Sequence, residues 1–268
     1  MKVLLTGAAG GIGREVAIRL AEQGAELALA DRNADALQQL ADEIVATGGR
    51  AQAVSVDLLD GEQRRALPAR VETALGPIDT LVNLAGLLSF SPFEHEDPAA
   101  MERLVKLNLL VPMDLTRTLL PGMIERGSGH IVNVGSTFGS IGFAYFAAYS
   151  ASKFGLRGFS EALRRELRET GVKVTYVAPR AVRTPLNTAA IYRMAKAVKM
   201  NMDSPERVAE EIAAAILKPA KDAYIGFPES LFVRINAILP RLVDGALRRQ
   251  NRVMATFARE HDETGTRN

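Results

Sequence analysis

The chain has 268 residues, of which 47% are hydrophobic and 24% charged, and these proportions are typical of a globular protein with a substantial core. Its 33 basic side chains nearly balance 31 acidic ones, and a net charge of +2 argues against a nucleic-acid-binding protein. The absence of cysteine excludes disulfides, thiolate metal sites and cysteine nucleophiles.

Targeting and metal-binding signals are missing from the sequence. No run of about 18 apolar residues is present, and glycines interrupt the apolar start of the chain, which is atypical of a signal peptide. We therefore expect a cytoplasmic protein. The three histidines, His95, His130 and His261, lie far apart without ligand-type spacing, so no metal site is expected.

The chain begins with an apolar strand, Lys2 to Thr6, followed by a glycine-rich turn and a helical pattern. Glycines let a backbone approach a phosphate closely, and the N-terminus of the next helix stabilises an anion. Gly7, Gly11 and Gly13 have the spacing G-x-x-x-G-x-G, which differs from the G-x-G-x-x-G dinucleotide fingerprint. The turn alone leaves two interpretations open, a phosphate site and simple tight packing.

The second predicted strand ends at Asp31, about twenty residues beyond the glycine turn. A carboxylate here can accept hydrogen bonds from both hydroxyls of an adenosine ribose, and it repels a 2′-phosphate, so it favours NAD over NADP. Arg32 follows directly and can weaken this preference. In the alternative interpretation, Asp31, Arg32 and Asn33 only cap the helix that begins near Ala34.

Predicted strands and helices then alternate as far as Pro179. This order predicts an α/β fold, a Rossmann-type doubly wound parallel sheet in a single domain with a C-terminal helical extension. Ligands of such sheets bind at the carboxyl ends of the strands. The residues predicted to lie at that edge are Gly7, Asp31, Asp57, Asn83 and Ser136.

A predicted strand, residues 130–135, ends at Ser136, and Tyr149 and Lys153 follow in a predicted helix. A spacing of four residues places the phenol and the amine on one helix face. A nearby ammonium favours the phenolate of a group whose ordinary pKa is about 10. With Ser136 as a donor to a substrate oxygen, the three groups could move a proton on or off an alcohol oxygen. The alternative is a packed ring beside a solvated amine.

Another candidate is Asn108, which lies among the apolar positions of a helix predicted over residues 98–120. A buried amide needs hydrogen-bond partners. Asn108 is therefore either a filler of the helix or part of a polar network near Lys153.

Taken together, these residues resemble the short-chain dehydrogenase/reductase family over about residues 2 to 226. The T-G-x-x-x-G-x-G turn of the family is found at Thr6 to Gly13, and its adenine-side aspartate is Asp57. Its N-N-A-G motif is found at Asn83 to Gly86, with Leu84 in place of the second asparagine. The resemblance identifies the catalytic set as Asn108, Ser136, Tyr149 and Lys153.

The resemblance implies a hydride-transferring enzyme that uses NAD, with NADP as the alternative, and that needs no metal. Tyr149 would exchange a proton with the substrate oxygen, and Ser136 would orient that oxygen. Lys153 would lower the tyrosine pKa and bind the nicotinamide ribose, while Asn108 would hold a water of a proton relay. The expected cofactor contacts are Thr6, Gly7, Gly11, Ile12, Gly13, Asp31, Arg32, Asp57, Leu58, Asn83, Ala85, Gly86, Tyr149, Lys153, Pro179 and Thr184.

Arg180 occupies a position where the family usually has glycine, and we expect this cation to contact phosphate or a polar substrate. Residues 185–203, at the place of the family's substrate lid, are rich in methionine, which suits a bulky apolar ligand or simply seals the lid onto the core. The favoured substrate is an apolar secondary alcohol or ketone, steroid-like or fatty. The alternatives are an NADPH-dependent 3-oxoacyl or carbonyl reductase and a non-catalytic dinucleotide sensor or scaffold.

The chain divides into a catalytic domain, residues 1–228, an amphipathic helical extension, residues 229–260, and a tail, residues 261–268, predicted to be disordered. The extension, interrupted at Pro240, can cover the substrate mouth, pack on a neighbouring subunit or lie on a membrane surface, packing being the commonest fate of such a segment. We expect a homodimer built on the helices near 98–120 and 149–170.

Overall fold

The computed structural model describes the backbone of residues 1–264 and the side chains of residues 1–259. Seven strands form one parallel sheet in the order β3-β2-β1-β4-β5-β6-β7. The strands are β1 (Lys2–Thr6), β2 (Glu26–Asp31), β3 (Arg50–Ser55), β4 (Thr80–Asn83), β5 (Gly129–Val134), β6 (Val172–Pro179) and β7 (Asp222–Ile225). The predicted doubly wound parallel sheet is confirmed.

Ten α-helices accompany the sheet in the described part of the chain. They are α1 (Gly11–Glu22), α2 (Ala34–Ala46), α3 (Gly61–Leu75), α4 (Pro98–Val105), α5 (Val111–Glu125), α6 (Ala147–Glu166), α7 (Ala189–Ala197), α8 (Pro205–Leu217), α9 (Glu229–Ile238) and α10 (Pro240–Thr264). None of these helices is long and apolar enough to cross a membrane.

The sheet is buried on both faces because successive side chains of a strand point to opposite sides. In β1, Val3 and Leu5 join a core with α1, α2 and α8, whereas Leu4 joins a second core with α3, α5 and α6. Apolar residues therefore occupy consecutive strand positions, which explains why the strands read as continuous apolar runs.

The chain starts in the middle of the sheet, builds outward to β3, and then crosses to β4 on the other side of β1. The strand order therefore reverses between β1 and β4, and a crevice opens there at the carboxyl ends of the strands. The glycine turn, Asp31 and the loop after β4 all reach this crevice.

The helix predicted over residues 98–120 is divided in the structure by one π-helical turn, Lys106–Leu110, between α4 and α5. Pro112 gives a physical reason: it has no N–H to donate to the carbonyl of Asn108, four residues earlier. The regular helical bond cannot form there, and π-turns inside helices often mark functional sites.

The C-terminal extension forms α9 and α10, which are separated at Pro240 as predicted. Met254 and Ala258 of α10 are fully buried against Met194 of α7. Part of the extension therefore packs on the segment 185–203, for which a role as substrate lid is predicted. The backbone of α10 continues to Thr264, into the segment for which disorder is predicted, and residues 265–268 lie outside the described residues.

Candidate active site

The glycine turn after β1 brings two backbone segments into close contact. Gly7 has φ of +71°, and a Cβ on it would lie 2.8 Å from the Ala85 backbone. A Cβ on Gly13 would lie 2.0 Å from the Gly7 carbonyl oxygen. No side chain caps the first turn of α1, and Gly11 and Ile12 line the crevice. The turn is thus tightly packed, and it also presents an uncapped helix N-terminus to the crevice. The tight packing is confirmed, and the phosphate site stays a prediction.

The far end of the crevice is built by the loops after β2 and β3, which place Asp31, Arg32, Asp57 and Leu58 on its wall. One carboxylate oxygen of Asp31 accepts a hydrogen bond of 3.2 Å from the Ala9 N–H of the glycine turn. Its other oxygen accepts from the Asn33 N–H. The cap of α2 is Asn33, whose side chain accepts from the N–H of Ala36, so Asp31 is not needed for that role.

At the other end of the crevice, Ser136, Tyr149 and Lys153 converge. Ser136 follows β5, and Tyr149 and Lys153 come from the first turns of α6. The Lys153 Nζ lies 5.8 Å from the centre of the Tyr149 ring and donates a 3.1 Å hydrogen bond to the Val134 carbonyl. The predicted proximity of the three side chains is therefore present in the structure.

Burial sets the protonation of this pair. Desolvation raises the pKa of Tyr149 to about 12, partly opposed by the Ser136 hydroxyl, and it lowers the pKa of Lys153 to about 8. Desolvation of the phenolate is the largest cause of the shift, so the pKa of Tyr149 is raised although an amine lies beside it. The role of Lys153 in lowering that pKa stays a prediction. The tyrosine is a neutral phenol at neutral pH.

Asn108 lies behind the crevice rather than on its wall, and it is almost fully buried. Its side-chain oxygen accepts from the Leu87 N–H at 2.8 Å, and its amide donates to the Leu87 carbonyl and to the Ser152 hydroxyl. Ser152 in turn donates to the Tyr149 carbonyl at 2.7 Å. The Asn108 side chain therefore fixes the loop after β4 against α6, and the predicted network near Lys153 exists with Ser152 as an additional member.

Three expected cofactor residues, Thr6, Gly13 and Asn83, do not line the crevice in the described structure. The Thr6 hydroxyl donates to the Val82 carbonyl and accepts from the Leu84 N–H. The Asn83 amide donates to the Asn133 side chain at 2.8 Å. These polar groups hold β1, β4 and β5 together below the site. The other expected contacts, Gly7, Gly11, Ile12, Asp31, Arg32, Asp57, Leu58, Ala85, Gly86, Tyr149, Lys153, Pro179 and Thr184, all lie on the wall.

Tyr176 supports the site and was not predicted from the sequence. It is completely buried in β6, and its hydroxyl donates to the Ser136 carbonyl and accepts from the Ser136 N–H. A Cβ on Gly135 would lie 2.2 Å from the Tyr176 ring, so only glycine fits before Ser136. A single tyrosine within an apolar strand carries no positional signal, because its partner is 40 residues away.

Arg180 does not offer a free cation to phosphate or substrate, contrary to expectation. Its guanidinium donates two 2.8 Å hydrogen bonds to the Asp203 carboxylate, and also donates to Glu229 and to the Phe227 carbonyl. The Arg180 and Asp203 side chains are only 10% and 3% exposed. Asp203 ends the segment 185–203, called the substrate lid below, and Glu229 begins α9. Arg180 therefore connects the lid to the C-terminal extension.

The crevice widens beside Tyr149 into an apolar chamber and has a total volume of about 490 Å³. Its walls come from the loop after β4, from the loop after Ser136 and from the lid. Rings stack there, with Phe138 and Phe143 centred 4.3 Å apart. The wall residues contributed to this chamber are Leu88, Phe138, Phe146, Ile191, Met194 and Met200.

Comparison with known proteins identifies the family of this chain. The short chain dehydrogenase family profile matches residues 1–195. The chain belongs to the short-chain dehydrogenase family. The ketoacyl reductase HetN of Nostoc sp. strain PCC 7120 is 35% identical over 248 residues, which cover 90% of this chain and 86% of that protein.

Solved structures agree with this membership. A short-chain dehydrogenase from Streptomyces avermitilis matches with a TM-score of 0.79 and 32% identity, covering 94% of this chain and 97% of that one. A variant of actinorhodin polyketide ketoreductase, solved with NADPH, matches with a TM-score of 0.76 and 31% identity over 84% of this chain and 95% of that one.

The crevice fits a nicotinamide dinucleotide by its own features. It offers an uncapped helix N-terminus at the glycine turn, a carboxylate at Asp31 and a buried phenol–amine pair at the opposite end. These are the three chemical features that a diphosphate, a ribose diol and a reacting carbonyl require. The protein is an NAD(P)-dependent oxidoreductase of this family.

Replacement of Lys153 by Met tests whether burial of the ammonium destabilises the fold. A pKa that falls from 10.5 to about 8 on folding costs about 3 kcal/mol at pH 7. Lys153→Met removes this cost but leaves the Val134 carbonyl without its donor, which offsets about 1 kcal/mol. We expect the variant to be about 2 kcal/mol more stable in urea unfolding at pH 7.

The pH dependence supplies the control for this substitution. Between pH 8 and 10, the unfolded chain binds more protons at Lys153 than the folded protein does. The free energy of unfolding of the wild type therefore rises with pH relative to that of Lys153→Met. The advantage of the variant should therefore shrink by pH 9.5. An equal difference at pH 7 and pH 9.5 would show that packing, not charge burial, determines the effect.

Replacement of Arg180 tests the connection between lid and extension. Arg180→Ala leaves the buried Asp203 without its main partner, and we expect a loss of about 3 kcal/mol of stability. At temperatures where the variant is folded, the loosened lid should raise KM for the substrate about tenfold and lower kcat less. Arg180→Lys should recover part of the loss, and Arg168→Ala, at an 84% exposed position away from Asp203, serves as the control. Unchanged KM in Arg180→Ala would contradict this role.

Proposed function

We propose that the protein transfers a hydride between NAD(H) and an apolar secondary alcohol or ketone, of a steroid-like or fatty kind. The observation that carries this proposal is the continuity of one crevice from the Asp31 carboxylate to the apolar chamber beside Tyr149. A carboxylate at one end suits an unphosphorylated ribose. Rings and methionines at the other end suit an apolar molecule.

The roles of the site residues follow from their positions. The nicotinamide, when bound, supplies or accepts the hydride. Tyr149 would exchange a proton with the substrate oxygen, and the Ser136 hydroxyl would hold that oxygen in place. Lys153 would provide positive potential beside the phenol, and Asn108 would act as a positioning residue through Ser152. Tyr176 would hold the Ser136 backbone in position.

The protonation of the site suits the reduction of a ketone at neutral pH. Reduction of a ketone needs a proton donor, and a phenol whose pKa is about 12 is fully protonated at neutral pH. Oxidation would need the phenolate, which burial disfavours until further positive potential reaches the site. The name of the HetN ketoacyl reductase, which matches over most of the chain, agrees with this direction.

A second candidate function is an NADPH-dependent 3-oxoacyl or carbonyl reductase. It is favoured by the relatives, one being a ketoacyl reductase and another a ketoreductase solved with NADPH. Arg32 lies on the crevice wall next to Asp31 and could attract a 2′-phosphate. A non-catalytic dinucleotide sensor is disfavoured, because Ser136, Tyr149 and Lys153 converge with a chamber beside them.

We also propose a homodimer built on α5 and α6. Leu110, which ends the π-helical turn, and Met113 of α5 are exposed on a shallow groove that Phe159 of α6 also lines. Phe154 of α6 is exposed as well. An apolar surface on two adjacent helices suits an isologous interface, in which the same face of each subunit meets the other. The protein would further act in the cytoplasm.

The choice of cofactor is tested at Asp31. Asp31→Asn keeps an acceptor for the Ala9 N–H but removes the charge that repels a 2′-phosphate. We expect the wild type to bind NADH roughly tenfold or more tightly than NADPH in titration calorimetry. Asp31→Asn should abolish or reverse this preference. Asp35→Asn removes an equal charge from α2 away from the crevice and should leave the ratio unchanged. Wild-type preference for NADPH would favour the biosynthetic reductase.

The enzymatic role is tested at Tyr149. Tyr149→Phe removes the proton donor without changing the shape of the chamber, and we expect kcat for ketone reduction to fall about 10²- to 10⁴-fold. NADH affinity should stay within a few fold of wild type. Tyr224→Phe, which loses a hydroxyl contact to Ser140, serves as the matched tyrosine control. Tight NADH binding with no Tyr149-dependent turnover of any ketone or alcohol would favour the sensor.

A further inference from the structure

Helix α9 is apolar on the side that faces away from the protein. Its inner side carries Val233, which is 4% exposed, and Asn236, which donates to the Ser140 carbonyl. Leu231, Ile235 and Ile238 recur at intervals of four and three residues, so they share the opposite side of the helix. Helix α9 therefore has apolar residues where a surface helix normally has polar ones.

The apolar side continues through the junction between α9 and α10. Ile238, Leu239 and Leu242 are 78%, 51% and 63% exposed. Exposed apolar residues that occur singly need no explanation, but a contiguous group of them marks an interaction surface. The term α9–α10 surface is used below for Leu231, Ile235, Ile238, Leu239 and Leu242.

Unpaired arginines surround the α9–α10 surface. Arg234 lies on α9, and Arg241, Arg248 and Arg252 share one exposed side of α10, opposite the buried Met254. Arg249 is exposed as well, and within residues 1–259 none of the five arginines forms an ion pair. Within residues 229–259, whose side chains the structure describes, the acidic residues are Glu229, already paired with Arg180, and Asp244.

We propose that the α9–α10 surface lies on the surface of an anionic phospholipid bilayer. An amphipathic helix with arginines beside exposed leucine and isoleucine inserts its apolar side at the headgroup boundary, while the cations attract anionic lipids. A second copy of the chain fits less well. An isologous contact would bring together two copies of the same arginine-rich surface, and their like charges would repel.

The position of this surface relates it to the active site. Helix α9 begins at Glu229, which binds Arg180 on the crevice wall, and Asn236 binds the loop that follows Ser136. Binding to a bilayer would thus place the apolar chamber near the lipid, from which an apolar substrate could enter. The inference itself rests on the α9–α10 surface and is measured without any substrate.

The test is co-sedimentation of the whole purified protein with vesicles. We expect binding to phosphatidylcholine vesicles that contain 30% phosphatidylglycerol, and binding at least about tenfold weaker to pure phosphatidylcholine or in 0.5 M salt. Ile238→Glu/Leu242→Glu should reduce binding to the anionic vesicles about tenfold or more, because both positions lose their insertion. Arg241→Gln/Arg248→Gln should reduce binding and its salt dependence.

A matched control is Val45→Glu, at a 54% exposed apolar position of α2, and this variant should bind vesicles like the wild type. Failure of the wild type to bind anionic vesicles at low salt would overturn the proposal, as would equal binding by Ile238→Glu/Leu242→Glu. The α9–α10 surface would be a self-association surface instead if the wild type did not bind vesicles and light scattering showed a different oligomeric state for Ile238→Glu/Leu242→Glu. Tyr149→Phe should lose ketone reduction and keep vesicle binding, so either proposal can be contradicted while the other stands.

Discussion

The buried ammonium of Lys153 is the constraint on which the active site depends. A side-chain cation of a residue that is only 5% exposed lowers the stability of the folded protein. Its ammonium donates a hydrogen bond to the carbonyl of Val134 at the end of β5. The strand end, the first turns of α6 and the amine must therefore keep a fixed geometry. The same burial keeps the neighbouring Tyr149 phenol neutral. The site therefore lowers the stability of the fold while it maintains a proton donor.

A chain of polar contacts below the sheet edge maintains that geometry. Asn83 of β4 donates to Asn133 of β5, Asn133 donates to Ser160 of α6, and Ser160 donates to the Leu156 carbonyl. Each member is buried, and hydrogen bonds of this kind are most valuable where water is excluded. Strand β4 and helix α6, whose sequence positions are far apart, are thereby fixed to the same strand. The family asparagine at 83 thus supports the site from below rather than forming its wall.

The sequence was sufficient to predict the sheet, the glycine turn, the position of Asp31 and the convergence of Ser136, Tyr149 and Lys153. These features depend on local periodicity or on the rule that strand ends share one edge. It was insufficient for Tyr176 and Ser152, because their roles depend on partners that only the packed structure brings close. The division of the helix at Asn108 is an intermediate case, since Pro112 is visible in the sequence but does not by itself show that the turn before it becomes π-helical. The net rise of the tyrosine pKa was not predicted either, because burial cannot be inferred from a spacing of four residues.

Arg180 shows how a departure from a family pattern becomes part of a structure. An arginine in place of glycine requires room, and Gly226 provides it, because a Cβ there would lie 2.5 Å from the Arg180 side chain. It also requires anions, which Asp203 supplies from the lid and Glu229 from α9. A chain that ended before residue 229 would leave one of these donors without its acceptor. The C-terminal extension and the arginine are therefore structurally dependent on each other, and the lid is held in place by a segment that lies beyond the last strand of the sheet.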